Sequence, residues 1–178
     1  MSVKLETTIQ KYIGLSSDTK PTNVKIGSIF YAYDTGVWYK CYDGTNWVVY
    51  KISNQIFVKN LKNKANANDV VVATVTNAPV LIKAVAVHSN GNTTTDLTSI
   101  AIAGGVNKAI TFISALEGAQ ANINAKDKQI AWANTNSSNV YLSTDSTIIA
   151  TLTGTGETTV DLNVIIEYAP VFIGGYLT

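Results

Sequence analysis

The sequence is poor in the residues from which enzymes and metal proteins build their sites. It contains no arginine, one histidine and one cysteine among 178 residues. A single cysteine, Cys41, excludes an intramolecular disulfide and a cysteine metal cluster. One cysteine and one histidine are also too few ligands for a zinc or iron site. Arginine normally makes the bidentate contacts to bases and phosphates, so its absence leads us to expect no nucleic-acid partner. We also expect no metal and no cofactor.

Charged side chains and long apolar runs are also scarce. Only 14% of the residues are charged, against about a quarter in an ordinary domain. No apolar stretch approaches the ~18 residues of a membrane helix, and none follows a basic N-terminal region. The sequence therefore predicts a soluble chain with no membrane span and no secretion signal.

The composition instead favours a β-rich protein with a substantial core. Hydrophobic residues make up 46% of the chain, and it contains 22 Thr and 17 Asn, which suit strands and turns respectively. The charges are uneven: residues 1–64 hold nine Lys and four acidic residues (+5), and residues 65–178 hold four Lys and eight acidic residues (−4). The basic part is either a solvated face or an electrostatic docking surface.

The N-terminal third contains a compact aromatic segment. After an irregular polar stretch, 1–25, three short strands are predicted at 26–33, 37–42 and 46–52, joined by Asp34-Thr35-Gly36 and Asp43-Gly44-Thr45, both turns of the tight-hairpin type. Eight of the sixteen aromatic residues lie within 26–52. We expect a small three-stranded β-meander.

The remainder predicts an antiparallel sandwich. Residues 53–68 are typical of a linker with one short ordered piece at 56–58, and 69–178 alternate between short strands and turns. The predicted strands are 69–76, 79–88, 96–103, 108–113, 128–133, 139–143, 147–153 and 158–168. Only 114–121 suggests a helical turn, with Ser114 as its cap and Glu117 three residues later. The predicted fold is all-β, with a jelly-roll-like sandwich following the meander.

Asp34-Thr35-Gly36 is also the triplet of aspartic proteases. That mechanism needs two carboxylates that share a proton, and the chain has no second copy of the triplet. The large residues after Gly36 fit a hairpin strand, and similar turn chemistry returns at Asp43. We therefore interpret both aspartates as turn residues whose carboxylates accept backbone N–H groups.

The aromatic residues of the meander have two interpretations. Trp38, Tyr39 and Trp47 are a candidate ligand platform, because their rings can stack on sugars. The alternative is that a sheet this small must be held together by its own aromatic side chains or by a neighbour.

Residues 27–51 resemble a hairpin module of structural proteins from tailed bacteriophages. The recurring positions are Gly27, Phe30, Asp34, Thr35, Gly36, Tyr39, Asp43, Gly44, Thr45 and Trp47. More loosely, "PVLIKAVAVHSNG", "TDLTSIAIAGG" and "VDLNVIIEYAP" resemble the Thr/Asn-rich β-sandwich of phage head-decoration and head-fibre proteins. The resemblance implies a virion structural protein without catalysis, and a homo-oligomer, with a trimer favoured.

The predicted function is decoration of a phage capsid on the particle surface, after assembly in the host cytoplasm. The partner would be the major capsid protein or another virion protein. The N-terminal part would dock and the sandwich would face outward. The candidate docking residues are Leu5, Ile9, Lys11, Tyr12, Ile13, Lys20 and Lys25. The alternative is a carbohydrate- or receptor-binding module of a tail or fibre, with a host surface glycan as ligand. A hydrolase is a distant third.

Overall fold

The chain forms two compact units, Met1–Asn54 and Gln55–Thr178, which we call the first and the second unit. The structure is a computed structural model, and it describes residues 9–62, 69–91, 97–133, 140–154, 160–171 and 175–178. Within these ranges no helix is long and apolar enough to cross a membrane.

The first unit is built on a four-stranded sheet. Its strands are β1 (Lys11–Gly14), β2 (Ile29–Ala32), β3 (Val37–Cys41) and β4 (Trp47–Ile52), in chain order across the sheet. β1 is parallel to β2, and the other neighbours are antiparallel. The three predicted strands of the meander are present. β1 is an addition within the stretch 1–25, which was predicted to be irregular, and it was missed because its partner, β2, lies far along the chain.

One face of this sheet carries the core of the first unit. Phe30, Ala32, Val37 and Tyr39 are buried, and the half-buried residues that pack against them are Tyr12, Trp47, Val49 and Ile52. The Trp47 ring meets Phe30 edge-on with centroids 6.1 Å apart, so Trp47 packs within the meander. A small sheet is thus held together by its own aromatic rings.

The described residues of the second unit form ten strands in two sheets. They are β5 (Gln55–Asn60), β6 (Val70–Thr76), β7 (Val80–Ser89), β8 (Leu97–Gly104), β9 (Ile110–Ile113), β10 (Gln129–Ala133), β11 (Val140–Leu142), β12 (Thr147–Gly154), β13 (Leu162–Pro170) and β14 (Tyr176–Leu177). One sheet has the order β10-β7-β13-β5, with β11 also on β7, and the other has the order β14-β6-β12-β8-β9. All pairings are antiparallel.

The two sheets of the second unit share one apolar core. Strand β13 alternates between buried and half-buried residues along its whole length, as expected when one face of a sheet meets a core. Val85 of one sheet and Ile102 of the other are both fully buried in this core, and the Trp132 ring contacts Phe112 at 5.0 Å. The all-β sandwich is confirmed, whereas the jelly-roll connectivity stays a prediction.

Two features of the predicted chain divisions need correction. The short ordered piece predicted at 56–58 extends over residues 55–60, which form strand β5 and pair with β13 rather than belonging to a linker. With the boundary after Asn54, the first unit holds six Lys and four acidic residues (+2), and the second holds seven Lys and eight acidic residues (−1). The predicted division into +5 and −4 parts therefore does not coincide with the units, because three lysines lie between residues 55 and 64.

In the second unit, the hydrogen bonds predicted for the turn that begins at Ser114 are present. Ser114 and Glu117 exchange the expected hydrogen bonds, with the Ser114 N–H 2.8 Å from Glu117 Oε2 and the Glu117 N–H 3.3 Å from Ser114 Oγ. The helix itself, α1, begins later, at Gln120–Ile123, and a 3₁₀ turn lies at Val106–Lys108. At the C-terminus, Leu177 of β14 is buried in the unit's own core, while Phe172 and Ile173 lie outside the described residues.

Candidate functional site

Asp34 ties the first hairpin to the loop after β1. The backbone N–H of Ser16 donates to Asp34 Oδ1 at 2.8 Å, and the Ser16 hydroxyl donates to Oδ2 at 2.6 Å. Burial acts to raise the pKa of Asp34, but the hydrogen bonds from Ser16 and the turn backbone bring it below its ordinary value. Both carboxylate oxygens of Asp34 therefore accept hydrogen bonds within the first unit, as expected of a turn residue.

Asp43 has the same structural role in the second hairpin turn. Its Oδ1 accepts the backbone N–H groups of Thr45 and Asn46, at 2.8 and 2.6 Å. These bonds, together with one from the Asn46 side chain, lower the pKa of Asp43 to about 2. The hydrogen bonds predicted for the two turn carboxylates are therefore present.

The three residues of the predicted ligand platform do not share a face. Tyr39 and Trp47 belong to the core side of the sheet, and Tyr39 is only 7% exposed. Trp38 precedes Tyr39 in the same strand and therefore points to the opposite side. Successive strand residues cannot form one platform, so the structure separates Trp38 from the other two.

Trp38 lies instead on an outward face of the first unit's sheet, which we call the aromatic face. Its members are Lys11, Ile13, Ile29, Tyr31, Trp38, Lys40 and Val48, with Tyr50 and Lys51 at a bulge in β4. The registers place Ile13, Tyr31, Trp38 and Lys51 in one row across the four strands. Sheet neighbours of this kind touch one another, so the face is a continuous surface.

The aromatic face is exposed and largely apolar. Ile13 is 71% exposed, Val48 53% and Tyr50 44%. The rings of Tyr31 and Trp38 stack with centroids 4.5 Å apart, and the Trp38 indole N–H donates to Ser53 Oγ at 3.0 Å. That indole is held in place by contacts within its own unit. An exposed, fixed aromatic surface is suited to binding a partner.

The predicted docking residues divide between the two sides of the sheet. Ile9, Lys11, Ile13 and Lys25 are exposed. Tyr12 packs against the core of the first unit, and Lys20 places its ammonium 4.3 Å from the centre of the Tyr39 ring. Leu5 lies outside the described residues. Lys20 and Tyr12 thus stabilise the first unit, and the exposed residues are the ones that a partner can reach.

Sequence reasoning overlooked Tyr31, Lys40, Val48 and Tyr50 as members of a surface. The missing signal was alternation: counting every second residue along β2 and β3 from Trp38 separates the outward side chains from the core. The aromatic content alone did not separate them, because both faces of the sheet carry rings.

No candidate metal site is found among the described residues. They contain no group of three or more His, Cys, Asp or Glu side chains that could hold a metal ion. The His88 ring lies 3.2 Å from Asn90 Oδ1 and 3.8 Å from Asp127 Oδ1, near the end of β7.

Comparison with known proteins adds one structural likeness. No family model matches the sequence, and no curated protein matches it. The fold is similar to a chain in the acidic stable capsid structure of Helicobacter pylori bacteriophage KHP30, with a TM-score of 0.44 and 11% identity. The likeness covers 70% of this chain and 92% of that chain. What the chain does has therefore to be inferred from its own residues.

Proposed function

We propose that the chain is a non-catalytic structural protein of a tailed-phage virion that decorates the capsid surface. The first unit docks on the major capsid protein or another virion protein, and the second unit is displayed. The resemblance of residues 27–51 to a phage hairpin module supports the virion assignment. So do the carboxylates of Asp34 and Asp43, which serve as turn residues within that module.

The observation that carries the docking proposal is the exposure of the aromatic face. Burying a large apolar side chain contributes roughly 1.5–3 kcal/mol, and association costs at least about 4 kcal/mol of lost freedom. Ile13, Val48 and Tyr50, all exposed, supply the largest newly buried apolar area when they are covered together with Tyr31 and Trp38. The affinity therefore comes from apolar contact.

Lysines at the rim of this face direct the encounter. Lys11, Ile29, Lys40 and Val48 are aligned in one row across the four strands. This row lies next to the row that contains Ile13 and Trp38. A virion surface with acidic groups would attract them, but salt screens such charges within ~8 Å at physiological ionic strength. We expect added salt to slow docking more than it weakens the complex.

The docking proposal is tested by comparing two exposed isoleucines of the first unit. Ile13→Ser removes an apolar side chain from the aromatic face, whereas Ile26→Ser changes a residue that is also exposed, at 58%, but lies in a loop before β2. Each variant is mixed with particles that lack this protein, and bound copies are counted. Loss of occupancy for Ile13→Ser alone supports the proposal. Equal occupancy for both variants and the wild type contradicts it.

A second candidate function is glycan binding by the same face. It is favoured by the exposed Tyr50 and the fixed Trp38 ring, since sugars stack on such rings. A glycan array tests it: specific binding that is lost in Trp38→Ala and kept in Tyr176→Ala, an exposed tyrosine of the second unit, would replace docking by receptor recognition. An array without a specific signal would leave docking as the function of the face.

A further inference from the structure

Asn90 and Gly91, which follow strand β7, form the only Asn-Gly pair in the sequence. Asparagine is chemically labile, and most of all before glycine, which has no side chain to shield its backbone nitrogen. That nitrogen attacks the Asn side-chain carbon Cγ and displaces ammonia, and water then opens the cyclic succinimide to aspartate or isoaspartate. A Cβ placed on Gly91 would meet no atom within 4 Å, and Asn90 is half-buried. The space beside this peptide bond is therefore open to the reaction.

The side chain of Asn90 belongs to a closed ring of hydrogen bonds, which we call the amide ring. Its Nδ2 donates to Asp161 Oδ1 at 2.9 Å, and its Oδ1 accepts from Asn163 Nδ2 at 3.0 Å. Asn163 Oδ1 accepts from Asn60 Nδ2 at 2.8 Å, and the same nitrogen donates to Asp161 Oδ1 at 2.9 Å. The ring thus joins the ends of β5, β7 and β13, three neighbouring strands of one sheet.

The amide ring is possible in only one arrangement of donors and acceptors. An ionised carboxylate can only accept hydrogen bonds, so Asn90 turns its Nδ2 toward Asp161 and its Oδ1 toward Asn163. Among the interactions that hold the pKa of Asp161 below its ordinary value, the hydrogen bond from Asn90 is the largest. Asp161 is therefore ionised at neutral pH, and the ring requires a donor from position 90.

We propose that Asn90 is a deamidation site that the amide ring protects in the folded protein, and that its conversion to aspartate opens the ring. Attack makes Cγ tetrahedral and bonds it to the backbone nitrogen of Gly91, so the planar amide has to leave the hydrogen bonds that hold it. Two hydrogen bonds lost on the way to the transition state slow a reaction roughly tenfold or more. The ring therefore delays deamidation without preventing it.

Deamidation replaces the donor that the ring requires with a second acceptor. A carboxylate at position 90 faces that of Asp161 with no hydrogen between them, and two like charges this close repel each other. The ends of β7 and β13 then lose a shared contact. Because ammonia has left, the change is permanent in that copy of the chain. This inference does not depend on the docking function, because it concerns a different unit and needs no partner.

The experiment measures the rate of deamidation in the full-length protein. The wild type and two variants are kept at mildly alkaline pH, and peptide mass spectrometry quantifies aspartate and isoaspartate at this site. Asp161→Ala removes the acceptor on which the ring depends. Its matched control, Asp69→Ala, removes another carboxylate of the second unit, one that bonds Lys108 and Thr151. A synthetic peptide of residues 85–97 gives the rate without the fold.

We expect the peptide to react roughly tenfold or more faster than the folded wild type, because the bonds of the ring are absent. Asp161→Ala should react about tenfold faster than the wild type, since a hydrogen bond to a charged group is lost. Asp69→Ala should react at the wild-type rate, and circular dichroism checks that both variants are folded. Equal rates for the two variants, or a wild type that reacts as fast as the peptide, would overturn the inference.

The substitution Asn90→Asp gives a second readout that does not depend on a reaction rate. At neutral pH it should melt at a lower temperature than Asn90→Ala, because Asn90→Ala only removes the contact, whereas Asn90→Asp adds repulsion with Asp161. A carboxyl beside a like charge has a raised pKa, so one of the two takes up a proton on acidification and can again donate. The difference in melting temperature should therefore shrink as the pH falls toward about 4. Asn90→Asp melting at or above Asn90→Ala at neutral pH would mean that the ring does not require a donor there, and would overturn the inference.

Discussion

Ser16 and Asp34 are joined by a two-point contact that closes the first unit. The Ser16 N–H and hydroxyl each donate to a different oxygen of the Asp34 carboxylate, at 2.8 and 2.6 Å. The Tyr33 N–H also donates to the carbonyl of Gly14 at 3.1 Å. The loop after β1 is therefore anchored to the turn after β2. The triplet Asp34-Thr35-Gly36, which resembles a protease motif, here has a structural role.

The first prediction is that this contact stabilises the first unit. Asp34→Ala should lower its free energy of unfolding by about 1–2 kcal/mol, because two hydrogen bonds to a charged group are lost. Ser16→Ala removes only the hydroxyl bond and should cost less. Urea unfolding followed by tryptophan fluorescence measures both variants. In the double variant the two effects should not add, since the residues share one contact; additive effects would contradict the assignment.

The second prediction concerns acid stability. Hydrogen bonds lower the pKa of Asp43 from 3.8 to about 2 and hold that of Asp34 below its ordinary value. A carboxyl whose folded pKa is depressed stabilises the fold above its unfolded pKa, and this contribution is lost as pH falls through the folded pKa. Stability should therefore decline between about pH 4 and pH 2.

The acid effect is assigned by removing one titrating group. Asp43→Asn keeps the size of the side chain and cannot ionise, so its stability should fall less steeply over the same pH range. Thermal melts at several pH values, for this variant and for the wild type, give the two slopes. Parallel curves would show that the Asp43 carboxylate does not contribute.

The third prediction separates Lys20 from the exposed lysines. The Lys20 ammonium lies 4.3 Å from the centre of the Tyr39 ring and 5.0 Å from that of Phe30. Such cation–π contacts contribute about 1 kcal/mol. Lys20→Gln should therefore lower the stability of the first unit by about that amount, whereas Lys25→Gln, at an exposed position, should not. Equal melting temperatures for the two variants would argue against the ring contact.

The fourth prediction tests a close approach in the second unit. A Cβ placed on Gly118 would lie 1.8 Å from the carbonyl oxygen of Ile100, whose own N–H donates to the Gly118 carbonyl. Gly118→Ala should cost about 3 kcal/mol or more, because backbone must move to admit the methyl group. Gly91→Ala meets no atom within 4 Å and is the control. Similar melting temperatures for both would contradict this packing.

Local patterns predicted most strands of the second unit, whereas long-range pairing was not readable. Alternation and turn residues located β6 to β13, since both signals lie within a few positions. β1 was missed and β5 was predicted only as a short ordered piece, because each is short and is stabilised by a distant strand, β2 for β1 and β13 for β5. The aromatic face was misassigned for a related reason. Successive residues of a strand point to opposite faces of the sheet, and the aromatic content alone does not show to which face each ring belongs.

The last prediction distinguishes the two tryptophans of the first unit. Trp47 contacts Phe30 and Tyr12, and its indole N–H donates to the Pro21 carbonyl at 2.8 Å. Trp47→Ala should cost about 3 kcal/mol in stability, because a large packed ring is removed. Trp38→Ala loses the stack on Tyr31 and the bond to Ser53, at a cost of about 1 kcal/mol.

Binding should show the opposite order. Trp38 lies on the aromatic face, so Trp38→Ala should weaken binding to particles by about tenfold or more, as the loss of a central aromatic contact does. Trp47→Ala should bind nearly normally at a temperature where the variant is still folded, because its ring faces the core. Unfolding and particle binding are measured on the same two variants. If Trp47→Ala were the weaker binder while fully folded, the partner surface would lie on the other side of the sheet.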